Sequence, residues 1–329
     1  MSSTPSSLDQ QILDLAGEKM YLPPTLYAHE LATVYNPRLY QQLPTTVIIA
    51  TTTAYKSEKD GKLAPDTKLR ADLAIQTFQK ATQRGYTVVD VDAKSDAGWV
   101  KHVKDLGVIV IDEKLDAYPG EHFMGRSRRQ ALDTAANHSV QSIIHWMEPE
   151  KHTWIDNDDG HLSPLASSAS IVYEGKADIA IGRRIDNLQS YPLQQQFSEI
   201  LGNLTVMKLL QEYFSKIKGT PQPSQYYDFW VGPRAISRKT IDYFLQYQGD
   251  FNGTKLDDRW GSIFVPIWQA MADGKTVGAL PVNYVHPPEQ TKLEAAQAEY
   301  YHKRIVQLEC LTETCRNFTQ VYIPTKEKG

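Results

Sequence analysis

Between residues 46 and 147 four short β-branched runs alternate with three amphipathic stretches. This alternation constrains the fold more than any other feature of the chain. The first run, Thr46-Val47-Ile48-Ile49-Ala50-Thr51-Thr52, is almost continuously apolar, as a strand buried on both faces must be. Lys68 to Arg84 follows with Leu69, Leu73, Ala74, Phe78 and Ala81 at helical spacing, closed by Gly85. A second strand is expected over Thr87–Asp92, a short helix over Ala97–Leu106, and a third strand over Gly107–Asp112. A helix over Gly125–Asn137 and a fourth strand over Ser142–Met147 complete the series. Strand and helix in strict alternation imply βαβ units. The predicted class is α/β, a mostly parallel central sheet flanked by helices, with helical N- and C-terminal extensions.

The pattern continues less regularly beyond Glu150. Helices are expected over Leu162–Tyr173, Leu193–Lys218, Ser237–Tyr247, Ile263–Ala272 and Leu293–Phe318, and strands over Ala177–Gly182 and Val277–Val285. Residues 1–44 read as an N-terminal extension with a short helix over Ser7–Leu15, breaks at Pro23-Pro24 and Pro37, and Tyr27, Leu31, Tyr35 and Tyr40 to pack on a core. Of the 329 residues, 41% are apolar and 22% charged, which excludes a disordered, collagen-like or coiled-coil chain. A net charge of -4 supplies no general basic field for nucleic acid or an anionic membrane. No apolar run approaches the roughly 18 residues of a membrane span. Cys310 and Cys315 match neither a zinc pair nor a disulfide framework, and Met1–Ser7 lacks the features of a signal peptide. The expected compartment is the reducing cytoplasm.

In an open parallel sheet, ligands gather at the carboxyl ends of the strands. The first run leads into Thr51, Thr52 and Tyr55, the second ends in Asp90 and Asp92, and the fourth is followed by Glu148 and Glu150. Recurrent carboxylates at one edge suit a hard divalent cation, although Asp is also a common turn and cap residue. Neither G-x-G-x-x-G after the first strand nor G-x-x-x-x-G-K-[ST] occurs, which argues against a dinucleotide site and a P-loop. Gly125-Arg126-Ser127-Arg128-Arg129 opens a helix with three cations, where free N–H groups and the dipole favour a phosphate. Arg128 and Arg129 cannot both point inward.

The order of these elements resembles the GT-A fold of nucleotide-sugar glycosyltransferases, most of all the inverting family-two type. The quoted likenesses are Asp90-Val91-Asp92 at the second strand end, Gly125 to Leu132 as a small-basic helix start, and Glu148-Pro149-Glu150 in the place of the Asp-x-Asp motif. Asp228-Phe229-Trp230-Val231-Gly232-Pro233-Arg234 with Ala235 to Arg238, the pair Asp257-Asp258, and His286 after the last strand complete the resemblance over roughly residues 45–290.

The resemblance implies a catalytic region at 45–290, with a nucleotide-binding half at 45–150 and an acceptor half at 151–290, followed by a C-terminal helix and tail at 291–329. It implies transfer of a sugar from a nucleoside-diphosphate sugar to an acceptor hydroxyl on a small molecule or glycan, with inversion. Donor contacts are expected from Thr51, Thr52, Tyr55, Asp90, Asp92, Arg126, Arg129 and Glu148. Mn²⁺ or Mg²⁺ is expected on Glu148, Glu150 and His286; alternatively Arg126, Arg129 or Lys151 neutralises the diphosphate. The base is expected at Asp257 or Asp258, with Asp228 as second choice, and Tyr227, Trp230 and Trp260 are expected to meet the acceptor. The competing expectation is a relative that kept the fold and changed the chemistry.

Overall fold

The computed structural model describes residues 37–58, 61–138, 141, 143–155, 163–184, 188–217 and 226–324. The expected helix over Ser7–Leu15 and the aromatic residues of the extension lie outside them. In chain order the elements are α1 (Pro37–Thr46), β1 (Val47–Thr53), α2 (Pro65–Gln83), β2 (Thr87–Asp92), α3 (Ala97–Asp105), β3 (Ile109–Asp112), α4 (Phe123–His138) and β4 (Ile143–Trp146). The chain continues through α5 (His152–Ile155), α6 (Pro164–Tyr173), β5 (Ile179–Arg184), α7 (Leu193–Phe214), β6 (Arg234–Ser237) and α8 (Ile241–Gln246). It ends with β7 (Asp250–Phe251), β8 (Thr254–Lys255), α9 (Val265–Ala272), β9 (Val277–Val282), α10 (Pro288–Ala295) and α11 (Ala298–Val321).

Seven strands form one sheet in the order β3-β2-β1-β4-β6-β5-β9. The pairs β1–β2, β1–β4, β2–β3 and β5–β9 are parallel, and β6 runs antiparallel to both its neighbours. The α/β class and the mostly parallel sheet are as the sequence pattern predicts. The apolar run of β1 explains its central place, because helix α4 packs against β1, β2 and β4 while helix α6 packs across β4, β5, β6 and β9. Ile48, Ala50, Val89, Ile144 and Ile179 are wholly excluded from water in that core.

Four elements differ from the sequence expectations. Pro37 does not break the chain; it is the first residue of α1, where its fixed φ and missing N–H are harmless. The segment expected to lead straight into a helix forms β6, a strand of only four residues, Arg-Ala-Ile-Ser, too short and too polar to show a period. Its Arg234 is fully buried and donates to the backbone carbonyls of Phe229, Val231, Gly232 and Ile263. The β7–β8 hairpin turns on Asn252 and Gly253 at φ 51° and 78°, the two positive φ values that an Asn-Gly turn of type I′ requires. The expected C-terminal helix is two helices, α10 and α11, interrupted at Ala296-Gln297. Helix α11 lies along α7.

Candidate functional site

Strand β1 has β2 on one side and β4 on the other. From β1 the chain winds outward through β2 to β3 and then returns to β4, so a topological switch point lies between β1 and β4. A crevice outside the carboxyl ends of two such strands is the usual ligand site of an open α/β sheet. Glu148, Glu150 and Lys151, directly after β4, line a cavity of about 270 Å³ there. Arg70 of α2 and Met124 and Arg128 of α4 form another part of its wall. Arg184 at the end of β5, Tyr191, and Gln195 and Glu199 of α7 form a further part. Trp230, Trp260, Tyr284 and His286 come from loops, and Glu294, Lys303 and Arg304 from α10 and α11. Six Lys or Arg side chains thus face four Glu side chains.

The charges fall into two bonded groups and a remainder. The first group centres on Arg184, whose Nε lies 2.6 Å from Asp228 Oδ2 and whose Nη2 lies 2.8 Å from Asp228 Oδ1 and 2.5 Å from Glu199 Oε2. Asn203 Nδ2 donates to Asp228 at 3.0 Å, and Gln195 Nε2 donates to Glu199 at 2.5 Å. Burial alone would lower the Arg184 pKa; Asp228 and Glu199 outweigh it and hold it well above the ordinary value. Burial alone would likewise raise Asp228, but Arg184 keeps it below the usual carboxylate range. In the second group Arg70 bridges Glu150 at 3.5 Å and Glu294 at 2.9 Å. Glu294 Oε2 also lies 3.2 Å from His286 Nε2. Tyr191 stacks on the His286 ring with centroids 4.2 Å apart. Burial is the main reason that His286 titrates below its ordinary pKa.

Four charged side chains of the cavity make no ion pair within 4.0 Å among the described residues: Arg128, Lys151, Lys303 and Glu148. Arg128 donates to Arg259 O at 2.6 Å and Ser262 Oγ at 3.0 Å. Lys151 Nζ sits 5.0 Å above the Tyr284 ring, and Lys303 Nζ 5.7 Å from the Tyr300 ring. Glu148 lies against Gly232, where no Cβ would fit, and its buried Oε2 has no hydrogen-bond partner among the described residues.

The expected site residues divide sharply. Glu148, Glu150, His286, Trp230 and Trp260 do share the cavity. Arg259 covers one face of the Trp260 ring at 4.0 Å. Tyr55 is buried beside Glu150; burial, then that carboxylate, pushes its hydroxyl well above the ordinary value. Thr52 sits half-buried in β1, while Thr51 is fully enclosed in the sheet. Asp90 and Asp92 are buried and share one hydroxyl, Thr53 Oγ1, at 2.6 and 3.0 Å. Thr53 Oγ1 donates to Asp90 Oδ2, and burial raises Asp90 above the ordinary carboxylate value. These groups brace β1 against β2 rather than line the cavity.

The aspartates expected to act as base do not line the cavity. Asp258, 5% exposed, takes both terminal nitrogens of Arg129 at 2.8 and 3.0 Å and the backbone N–H of His122 at 2.9 Å. Gly125 packs against it so closely that no Cβ would fit. Asp257 accepts the backbone N–H groups of Arg259 at 3.1 Å and Gly261 at 2.5 Å, holding the loop that leads into a single 3₁₀ turn. Asp228 is committed to Arg184, and Tyr227 donates its hydroxyl to Val277 O in the core. Arg129 is therefore a structural partner of Asp258, and Arg126 donates to Gly120 O at 2.6 Å. Of the three arginines that open α4, the one that reaches the cavity is Arg128. Asp258→Asn is expected to lose about 2 kcal/mol of stability, since a buried charge-assisted pair becomes a weaker bond. A urea unfolding curve checks this, and an unchanged midpoint refutes the structural role.

A divalent metal does not fit the expected set. His286 is turned to Glu294, and among the described residues no group of three or more His, Cys, Asp or Glu side chains converges to hold a metal ion. Arg184, Glu199, Arg70, Glu294, Lys303 and Arg304 went unnoticed in the sequence. Arg184 had a usable signal, being the end of an apolar strand run. The remainder sit on helices with no motif around them.

No protein-family model and no curated protein matches this chain. Among solved structures, glucosyl-3-phosphoglycerate synthase of Mycobacterium tuberculosis has a TM-score of 0.46 and 10% identity, covering 85% of each chain. A structure of the same M. tuberculosis enzyme with Mg²⁺ and uridine diphosphate has a TM-score of 0.44 and 9% identity, covering 85% of this chain and 84% of that one. Mannosyl-3-phosphoglycerate synthase of Rubrobacter xylanophilus has a TM-score of 0.46 and 12% identity, covering 84% and 80%. What the cavity does depends on this chain's own side chains.

Proposed function

We propose that this chain is a glycosyltransferase that moves a sugar from a nucleoside-diphosphate sugar to an acceptor hydroxyl. The observation that carries the reading is the cationic cavity at the switch point beside Glu148-Pro149-Glu150, the position that the GT-A resemblance marks as the donor diphosphate site. In an inverting transfer the acceptor oxygen bonds to the anomeric carbon while the bond from that carbon to the diphosphate breaks. The leaving diphosphate gains negative charge, and preorganised cations stabilise it. The acceptor proton goes to a carboxylate within hydrogen-bond reach. Glu150, Glu199 and Glu294 are occupied by Arg70, Arg184, Arg304 or His286. Glu148 is the cavity carboxylate left for this role. Trp230, whose Nε1 has no hydrogen-bond partner among the described residues, borders the same space and offers a face to the acceptor.

Melting the protein with UDP, GDP, ADP and their sugars tests the reading. A matching ligand at 100 times its Kd is expected to add about 2.7 kcal/mol by mass action. No response to any nucleoside diphosphate would sink it. The absence of the three expected aspartates from the cavity favours one alternative, a protein that binds an anionic metabolite without transferring a sugar. Release of nucleoside diphosphate from the stabilising donor in the presence of acceptors separates the two.

A further inference from the structure

We propose that Arg128, Lys151 and Lys303 form a cation cradle that neutralises the ligand's diphosphate in place of a divalent metal. That the anion is a diphosphate rests on the transferase reading; the cradle itself rests on the charges. The cavity's other cations are already matched: Arg70 by Glu150 and Glu294, Arg184 by Asp228 and Glu199, and Arg304 by Glu199 at 3.7 Å. Three cations without a carboxylate partner then face one carboxylate, Glu148, in the same condition. The matched groups set three cations against four carboxylates, so the site keeps a net positive charge of about one, with its surplus on these three cations, and an anion such as a diphosphate would be drawn there.

The three cations come from separate parts of the chain. Arg128 is buried on α4, Lys151 follows β4, and Lys303 stands exposed on α11 at the mouth. Arg128 is held by Ser262 and Arg259 O, so it presents a fixed guanidinium. Lys151 lies over an aromatic ring and has no hydrogen-bond acceptor of its own among the described residues. Burial would lower its pKa, yet Tyr191 and Glu148 more than restore it, so it enters the cavity charged. An ammonium in that setting gains from any anion that supplies oxygen acceptors. A metal would need hard oxygen donors gathered at one point, and here the carboxylates are dispersed among guanidinium groups.

The test is titration calorimetry of the full chain with inorganic pyrophosphate and with UDP, each in EDTA and in Mn²⁺. The cradle predicts that pyrophosphate binds in EDTA and that Mn²⁺ changes its Kd by less than about threefold. Lys151→Gln is expected to weaken pyrophosphate at least tenfold, and Lys303→Gln at least threefold. Lys303 lies on the surface, so its variant remains informative should Lys151→Gln fail to fold. Binding of either ligand only with Mn²⁺ overturns the cradle and leaves the transferase reading standing. Unchanged affinity in Lys151→Gln and Lys303→Gln also overturns it. Pyrophosphate binding in EDTA without any nucleoside-diphosphate binding supports the cradle and overturns the transferase reading. No binding of either anion overturns both.

Discussion

Replacing Arg184 by methionine is expected to lower the unfolding free energy by about 3–5 kcal/mol, because it leaves buried Asp228 without its cation and Glu199 with Arg304 alone, at 3.7 Å. Asp228 and Glu199 are 3% and 2% exposed, and the guanidinium bridges them. In a chain of this size the melting temperature should fall by roughly 6–10 °C. The pH dependence supplies an independent sign. In the native protein Asp228 titrates below its ordinary value because of Arg184. Its contribution is therefore complete above the unfolded carboxylate pKa and lost as pH falls through the depressed folded value. Without Arg184, burial dominates and the folded pKa of Asp228 rises above the unfolded one. The variant should then gain stability relative to the native protein between pH 8 and pH 5. Thermal melts across that range check it; parallel curves for the two proteins would show that Arg184 does not hold Asp228 ionised.

Replacing Glu148 by glutamine is expected to lower kcat by about 10²–10⁴, the usual worth of a positioned general base, while donor affinity holds or improves. The improvement follows from sign alone, since removing one negative charge favours the anionic donor proposed for the cavity. The split matters: a donor-binding residue would move KM, whereas a base moves kcat. Glu148 is seated by Gly232, and a methyl group there has no room beside the carboxylate. Gly232→Ala should therefore reproduce the fall in kcat with the glutamate intact. Steady-state rates with the donor that stabilises the fold measure both. If Glu148→Gln retains kcat within threefold, the proton goes elsewhere.

Arg129 and Arg128 show how far sequence reading reaches at a site. Three cations at a helix start announced themselves as unusual, but the expectation that Arg128 and Arg129 cannot both point inward fails, because both are buried and bonded to different partners. Which one reached the cavity depended on Asp258, 129 residues further along, which claims Arg129. Nothing local to either residue carries that information. The aspartates tell the same story in reverse. A carboxylate reads alike as a base, a cap or half of a buried pair, and only its partners separate the roles. Asp257 proved an acceptor for loop N–H groups, Asp258 and Asp228 halves of pairs, and Asp90 a buried partner of Thr53. The Asn-Gly turn of the β7–β8 hairpin, by contrast, was legible in two letters and went unread because its strands are two residues long.

By itself the sequence determined the α/β class and the strands β1 to β5 and β9, but not the antiparallel β6 between them. Apolar runs of β1, β2 and β4 bury on both faces, the intervening helices are long enough for crossovers, and these are local, short-range requirements. The tertiary structure alone decided the chemistry of the cavity. Arg70, Arg128, Lys151, Arg184, Glu294 and Lys303 are scattered over 234 positions and meet only when α2, α4, α10 and α11 pack around the end of the sheet. Charge acts through space and falls off with distance, so which cation is spent on a carboxylate and which is left for a ligand is a property of the packed molecule.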